Sequence, residues 1–513
     1  MTNRSRVKKS LKNAQVALIF YVANLFLQFF YRKIFLEHLG PEFLGLNTTA
    51  MNLLQFLNLA ELGVGASVSY SLYKPLADND RSQINEIVSV QGYLYNRIGI
   101  IVLGCAFILM LFFPWFFSDI KIPLVYLYAT FGVLLISALS SYFLNYQEIL
   151  LISDQKEYKL NYAIQSVKIL KIIFQILFIY LFVNGYIWWL VWELIAAIAT
   201  IIGVKYVISQ EYPWLNTDVF LGKKLIAKYP QITLKTKQLF AHKIAGFALN
   251  QSSSLVIYAF TSFSFVAFYG NYLLVIAGVT AVLGAIFNSS NAGVGNLVSE
   301  GNKEKMIAVF DELFTIRFLL GCIACFGIYK LTPIFITYWV GSKYLLKDST
   351  LILMVIIMYL NITRLTVDSF LNGFGLFNDI GAPILETVIN IGLSIFLGYV
   401  YGINGVLIGV ITSLLLIIFC WKPYFLFRKG FNHSLMFYVK KYLVLLIILG
   451  LSFFLTGNIM SLITIDPYFS ISKFLIYSFL LISVFSLLLF FGLLLFTSGM
   501  KQFYRRCKSH LIK

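Results

Sequence analysis

Gly63-Val64-Gly65 closes one apolar stretch of the chain, and Gly293-Val294-Gly295 closes another about 230 positions later. Past a polar loop that is roughly ten residues shorter in the second half, matched positions lie about 220 apart. At that offset Arg97 meets Arg317. Asn184-Gly185 in Val-Asn-Gly-Tyr-Ile meets Asn404-Gly405 in Ile-Asn-Gly-Val-Leu. Three coincidences in order, with the slip confined to one loop, mark a duplicated membrane unit. A duplicated bundle with an even number of spans forms two lobes, and transporters built this way hold their substrate where the repeats meet.

Composition narrows the class. Of the 513 residues, 59% are hydrophobic and 12% charged, and the mean hydropathy is +0.83. These values exclude a soluble domain and a disordered chain. The net charge of +18 invites a nucleic-acid partner, but its placement excludes one. Basic residues cluster at Arg4, Arg6, Lys8, Lys9 and Lys12, in short loops, and at Lys501, Arg505, Arg506, Lys508 and Lys513. Such clusters mark the cytoplasmic flanks of membrane spans. The five cysteines form no disulfide framework, and Cys322-x-x-Cys325 reads as two small buried hydrophobes on an apolar helix. The basic N-terminus runs into a long apolar stretch without a cleavage site, so the first span is expected to be retained.

A spanning helix takes about 20 apolar residues, and the pattern contains fourteen such segments. They fall near 14–37, 43–71, 88–117, 123–146, 162–183, 186–207, 240–260, 264–288, 309–339, 349–371, 380–400, 403–425, 436–456 and 472–497. The fold expected is an all-α integral membrane protein of about 14 helices. Two six-helix lobes, 1–208 and 240–430, are related by the repeat. A cytoplasmic linker, 209–239, joins them, and 431–513 adds two further helices and a basic tail. Lysines and arginines of alternate loops (Lys74, Arg81, Lys156, Lys159, Lys223, Lys224, Lys303, Lys305, Arg428, Lys429) place both termini inside. No Gly-x-x-x-x-Gly-Lys motif occurs, so ATP hydrolysis within the chain is not expected to drive it.

Ionisable residues inside spans are costly and are functional candidates by default. Lys168 and Lys171 fall within the hydrocarbon zone and share one helical face. They either need an anion, water or a carboxylate beside them, or snorkel to the surface. Arg97 and Arg317, near the inner interface, either snorkel or serve the seam between the lobes. Arg364 and Asp368, i,i+4 on span ten, either neutralise each other or face a substrate. Glu61, Glu193 and Glu386 are lone carboxylates. Each is either a neutral structural acid or, in a wet cavity, a group coupling transport to a proton or sodium gradient. Gly63, Gly65, Gly293 and Gly295 suit close helix packing or bending where lobes move. No catalytic triad or metal-ligand cluster stands out, so enzymatic chemistry, a metal and a bound cofactor are not expected. An excess of Arg and Lys suits a phosphate or pyrophosphate held by charge-assisted hydrogen bonds. A cavity for organic cations would be acidic.

The stretch His38-Leu-Gly-Pro-Glu-Phe-Leu-Gly-Leu-Asn47, followed by Ala60-Glu-Leu-Gly-Val-Gly65 and Tyr70-Ser-Leu-Tyr-Lys-Pro-Leu-Ala77, resembles the polysaccharide flippase family (Wzx type). That family belongs to the multidrug/oligosaccharidyl-lipid/polysaccharide exporter (MOP) superfamily. Gly270-Asn-Tyr, Gly295-Asn296-Leu, Asn372-Gly-Phe-Gly-Leu-Phe377, Pro383-x-x-Glu386 with Asn390, Gly402-Ile-Asn-Gly-Val406 and Trp421-Lys-Pro-Tyr424 continue the resemblance through span twelve. It implies transfer of undecaprenyl-pyrophosphate-linked oligosaccharide units from the inner to the outer leaflet of a bacterial cytoplasmic membrane. The product would be capsule, exopolysaccharide or an O-antigen-like polymer. Two lobes would rock around a cationic cavity, and the two extra helices would border a groove for the lipid tail. Polysaccharide polymerase and glycosyltransferases of the pathway, and membrane lipids, are the expected partners.

On this reading Lys168 and Lys171 contact the pyrophosphate first, with Arg97, Arg317 and Arg364 behind them. Span seven departs from the family pattern. It carries Asn250-Gln-Ser-Ser-Ser254 where many relatives have an acid, so ion coupling would pass to Glu61, Asp368 or Glu386. The alternatives are a lipid II flippase and a cation-coupled multidrug exporter of the same superfamily.

Overall fold

A computed structural model of the chain describes residues 3–511 apart from 59–62, 118–121, 235, 237–255, 289, 377–378 and 380. Every regular element among the described residues is helical. A helix meets its own backbone hydrogen-bonding needs, which in lipid nothing else can meet. Eleven helices are long and apolar enough to cross a membrane. The fourteen expected spans map onto them with three adjustments. Gly381–Phe431 carries spans eleven and twelve in one run. Span two is two helices, Gly40–Leu57 and Val64–Asp78. Most of span seven lies outside the described residues. The split in span two has a local cause: Gly63 sits at φ 104°, a left-handed conformation open to glycine and closed to most side chains.

The duplication is written into the backbone. Asn79 (φ 55°) and Gly301 (φ 74°) both adopt left-handed conformations, and each is followed by a helix N-cap. Asp80 Oδ1 accepts from the Gln83 amide at 2.9 Å to start Arg81–Leu111. Asn302 Oδ1 accepts from the Lys305 amide at 3.0 Å to start Lys303–Trp339. An acceptor at this position satisfies one of the orphan amides of a helix start. Two tight hairpins also correspond. Glu157–Leu181 turns through Asn184 into Gly185–Glu211. The run Gly381–Ser413 reverses at Gly402 (φ 58°, ψ −139°), with no intervening loop.

Packing divides the chain into two units, Met1–Ala267 and Phe268–Lys513. This boundary lies further along the chain than the 239/240 division expected from the sequence. Phe263 stacks on Phe117 and the Tyr258 ring packs tilted against it, which holds both in the first unit. The front of the expected linker is docked as well. Thr217 bonds Tyr146 and Gln147, and the Asp218 amide donates to Ser89 Oγ at 3.0 Å. Lys228 and Tyr229 both bond Glu86. Gly222 lies so close to the Ser89 carbonyl that a Cβ there would overlap it. At the end of the bundle opposite the Asn184 turn, Lys156 bridges Asp154 (2.7 Å) and Glu211 (3.2 Å), and Lys159 also pairs with Glu211.

In the second unit Phe310, Phe314 and Phe318 form a ladder along Lys303–Trp339 and interlock with Phe370, Phe427, Phe431, Tyr438 and Tyr442. Lipid offers helices little hydrophobic reason to associate, so such close packing, with internal hydrogen bonds, supplies the cohesion. The two additional helices, Leu435–Ser461 and Ile471–Phe496, join this core. Phe326 stacks on Phe485 at 3.9 Å. A last helix, Ser498–Leu511, is anchored to buried acids: Ser498 Oγ donates to Asp311 Oδ2 at 2.6 Å, and Arg506 reaches Glu312 at 2.5 Å. Lys441 also pairs with Asp311.

Candidate functional site

The hairpin around Asn184 folds span six back along span five, bringing Glu193 level with Lys171. Lys171 Nζ donates to Glu193 Oε1 at 2.8 Å. Gln175 Nε2 donates to the same oxygen at 3.1 Å and to the Trp189 carbonyl at 3.2 Å. Trp189 Nε1 in turn donates to the Tyr31 hydroxyl at 2.7 Å. Glu193 is 6% exposed, so this carboxylate is buried with its cation.

The pair forms one wall of a cavity of about 250 Å³ inside the first unit. Ser137, Ser140, Ser141 and Asn145 face it from the next helix and its C-terminal turn, and Lys168 stands beside Lys171 on the same wall. Lys168 is exposed and has no ion-pair partner among the described residues. Asn145 is 3% exposed, and its Oδ1 has no hydrogen-bond partner among the described residues. The arrangement holds one cation committed to a carboxylate, one uncommitted cation, and a row of hydroxyls. Such a cavity can take an anion through charge-assisted hydrogen bonds.

A second cluster lies in the other unit. Asp368 accepts from Arg364 Nε at 3.1 Å and from Lys422 Nζ at 2.8 Å. Glu386, 2% exposed, lies within electrostatic reach of all three, and its Oε1 has no hydrogen-bond partner among the described residues. Asn390, one turn on, donates to Ser413 Oγ at 3.2 Å across the Gly402 hairpin. Arg364 and Asp368 therefore sit together as their spacing allowed, with Lys422 as an additional partner. Lys422 stands in Trp421-Lys-Pro-Tyr424 near the end of its apolar run, where the sequence alone does not mark its charge as intramembrane.

The two repeat-matched arginines have different surroundings. Arg317 is 2% exposed and donates to the Phe287 carbonyl (3.0 Å), Ser290 Oγ (2.8 Å) and Ser369 Oγ (3.0 Å). It ties Phe287 and Ser290 to the helix Asp348–Gly373. Arg97 is exposed, with its guanidinium 5.6 Å from the centre of the Tyr93 ring.

The glycines divide too. A Cβ at Gly65 would stand 3.3 Å from the Tyr95 hydroxyl, whereas one at Gly293 or Gly295 would meet no atom of the described residues within 4 Å. Close packing therefore does not explain the latter two from their own Cβ side. At that crossing Gly373 is the residue without room, with Val298 3.3 Å from its Cβ position. Glu61 and the 250–254 segment lie outside the described residues.

The surplus of interior cations is smaller than the sequence suggested. Lys171 is matched by Glu193, Lys422 and Arg364 by Asp368, and Lys441 by Asp311. Glu193 stands alone in the sequence and Asp311 and Glu312 stand side by side, and all three acquire their cationic partners only through tertiary contacts. A signal for Glu193 was present, because the Asn184 turn sets it nine residues on one side and Lys171 thirteen on the other.

No family model matches the chain, and no curated protein matches it. Solved structures similar over most of its length include two with TM-scores above 0.5. One is the inward-facing conformation of a multidrug resistance MATE family transporter of the MOP superfamily: TM-score 0.57, 14% identity, covering 82% of this chain and 98% of that one. The other is the lipid II flippase MurJ in an inward closed conformation: TM-score 0.60, 15% identity, covering 93% of this chain and 100% of that one. The chain is a multi-pass membrane protein with the fold of the MOP-superfamily transporters.

Proposed function

We propose that the protein is a flippase carrying an undecaprenyl-pyrophosphate-linked oligosaccharide from the inner to the outer leaflet of a bacterial cytoplasmic membrane. It does so by alternating access and supplies a surface polysaccharide pathway with its polymerase and glycosyltransferases. The observation that carries this reading is an apolar groove of about 530 Å³ in the second unit. It runs between Lys303–Trp339, Asp348–Gly373 and the additional helix Leu435–Ser461, with Phe326, Ile356, Leu446, Leu449 and Phe453 on its walls. Gly450 keeps one wall clear of a side chain. A polyprenyl tail suits such a groove, because it stays among apolar groups while its headgroup crosses a wet cavity.

Lys168 is the first residue expected to meet the pyrophosphate, since it is the uncommitted cation of the polar cavity. Replacing it with Gln breaks no ion pair among the described residues. Lys168→Gln should abolish surface polysaccharide while membrane abundance stays normal, with lipid-linked oligosaccharide accumulating on the inner leaflet. Normal polysaccharide in that variant overturns the assignment of Lys168. A second reading, transfer of lipid II, is favoured by the longer likeness to the lipid II flippase. Rescue of a strain depleted of its own lipid II flippase would select it.

A further inference from the structure

We propose that Lys171 exchanges partners during transport, leaving Glu193 for the incoming phosphate, and that Glu193 takes up one proton from solvent as it is released. The inference rests on the anionic-headgroup reading of the first-unit cavity and adds a residue and an event to it.

The geometry supplies the elements of an exchange. Lys171 Nζ lies 2.8 Å from Glu193 Oε1 on the wall of the cavity, so its ammonium group is reachable by a ligand without a change of helix position. Lys168, one turn away and unpaired among the described residues, provides the charge that draws an anion in. A phosphate bridging the two lysines gains a second charge-assisted contact only if Lys171 turns from Glu193. That leaves a carboxylate that is 6% exposed without its cation. A buried charge stripped of its partner is costly by several kcal/mol. A proton removes that cost.

The groups around Glu193 allow this. From the neighbouring helix it meets Lys171 and Gln175 on Glu157–Leu181, and Lys168 and Glu148 line the same cavity. Tyr31 lies within electrostatic reach, as does Tyr186 on its own helix. Apart from Lys168 and Lys171, none of these offers a substitute cation. Both hydrogen bonds that the described residues give Glu193 fall on Oε1. Gln175 can therefore keep its bond to Oε1 while Oε2 carries the proton, so the carboxyl holds its place in either state. Binding and protonation are then linked, and the linkage is reciprocal: whatever factor the headgroup contributes to proton affinity, the proton contributes to headgroup affinity.

The test uses the full-length protein in nanodiscs with inorganic pyrophosphate as the probe. Binding is followed by calorimetry in buffers of different ionisation enthalpy, which counts protons. Glu193→Gln removes the competitor for Lys171, so it should bind pyrophosphate roughly tenfold more tightly, within the usual range of coupling factors. It should also take up about one proton fewer per ligand than the wild type. The ligand's own titration is common to both proteins and cancels in the difference. Lys171→Gln serves as a second variant: it should bind weakly and likewise lack the extra proton, because Glu193 has no cation left to lose. Equal affinity and equal proton uptake in wild type and Glu193→Gln overturn the exchange while leaving the headgroup reading intact. No pyrophosphate binding by the wild type overturns both.

Discussion

Adding one methyl group at Gly405 should destabilise the second unit more than adding it anywhere else along the Gly402 hairpin. A Cβ there would overlap the Leu397 carbonyl, and Gly398 N would stand 2.9 Å away. Ordinary van der Waals contact begins near 3.4 Å. The obstructing atoms are backbone, so no rotamer change relieves them, and the two arms of the hairpin must separate. Overpacking of this kind costs about 3 kcal/mol at the upper end of its usual range. For a large unit that is roughly 6–12 °C of Tm.

Two further glycines calibrate the effect. At Gly185, the matching position of the first hairpin, the nearest atoms are Ile179 Cα at 3.0 Å and its carbonyl oxygen at 3.2 Å. A shift of a few tenths of an ångström suffices there, at about 1 kcal/mol. At Gly392, on the same helix run as Gly405, a Cβ meets nothing within 4 Å. Alanine there should be neutral or stabilise by up to about 1 kcal/mol through helix propensity. Thermal unfolding of the three alanine variants in one detergent should rank them Gly392, Gly185, Gly405, in order of falling stability. A Gly405→Ala protein that melts with Gly392→Ala refutes the packing argument.

Arg317→Gln should lower stability by about 3 kcal/mol, because charged hydrogen bonds to buried oxygens are lost, whereas Arg97→Gln should change it by less than about 0.5 kcal/mol; paired melting curves compare them. Gly450→Trp, which fills part of the apolar groove, should slow transfer of a polyprenyl-linked substrate in proteoliposomes while leaving inorganic pyrophosphate affinity unchanged; an equal loss of both would count against the groove as the tail site. The Lys156 clasp should be indifferent to pH over the neutral range. Burial works against the Lys156 charge, but Asp154 and Glu211 outweigh it and hold the ammonium above its ordinary value of 10.5. A group raised on folding contributes fully below its unfolded value and loses that contribution as pH rises past its folded one. Hydrogen-exchange protection factors at residues 154–159, which divide out the base catalysis of exchange itself, should therefore stay constant from about pH 6 to 9 and fall only in strong alkali.

Much of the architecture was legible because lipid leaves a chain so few solutions. Apolar length gave the spans, and the offset between Arg97 and Arg317 or between Asn184 and Asn404 gave the duplication. The break at Gly63 was harder, since a left-handed glycine inside an apolar run looks like any small residue until its φ is seen. Charge was read least well. Counting lysines and arginines in spans overstates a cationic interior, because the compensating acids come from distant segments: Asp311 answers Lys441 across 130 positions, and Asp368 answers Lys422 across 54. Lys171 and Glu193 were within reach, since a tight turn fixes which residues share a depth. Nothing local distinguished Arg317 from Arg97, whose contrast arises from three oxygens on two other helices.

That contrast bears on how the two halves have aged since they were copied. At one position of the ancestral unit an arginine was inherited twice. In the second half three oxygens make it part of the helix packing, so its loss is expected to cost stability. In the first half no comparable cage of oxygens among the described residues holds it, and the side chain lies exposed over the Tyr93 ring. A change at Arg97 therefore leaves the packing around it intact, whereas a change at Arg317 strikes the fold first.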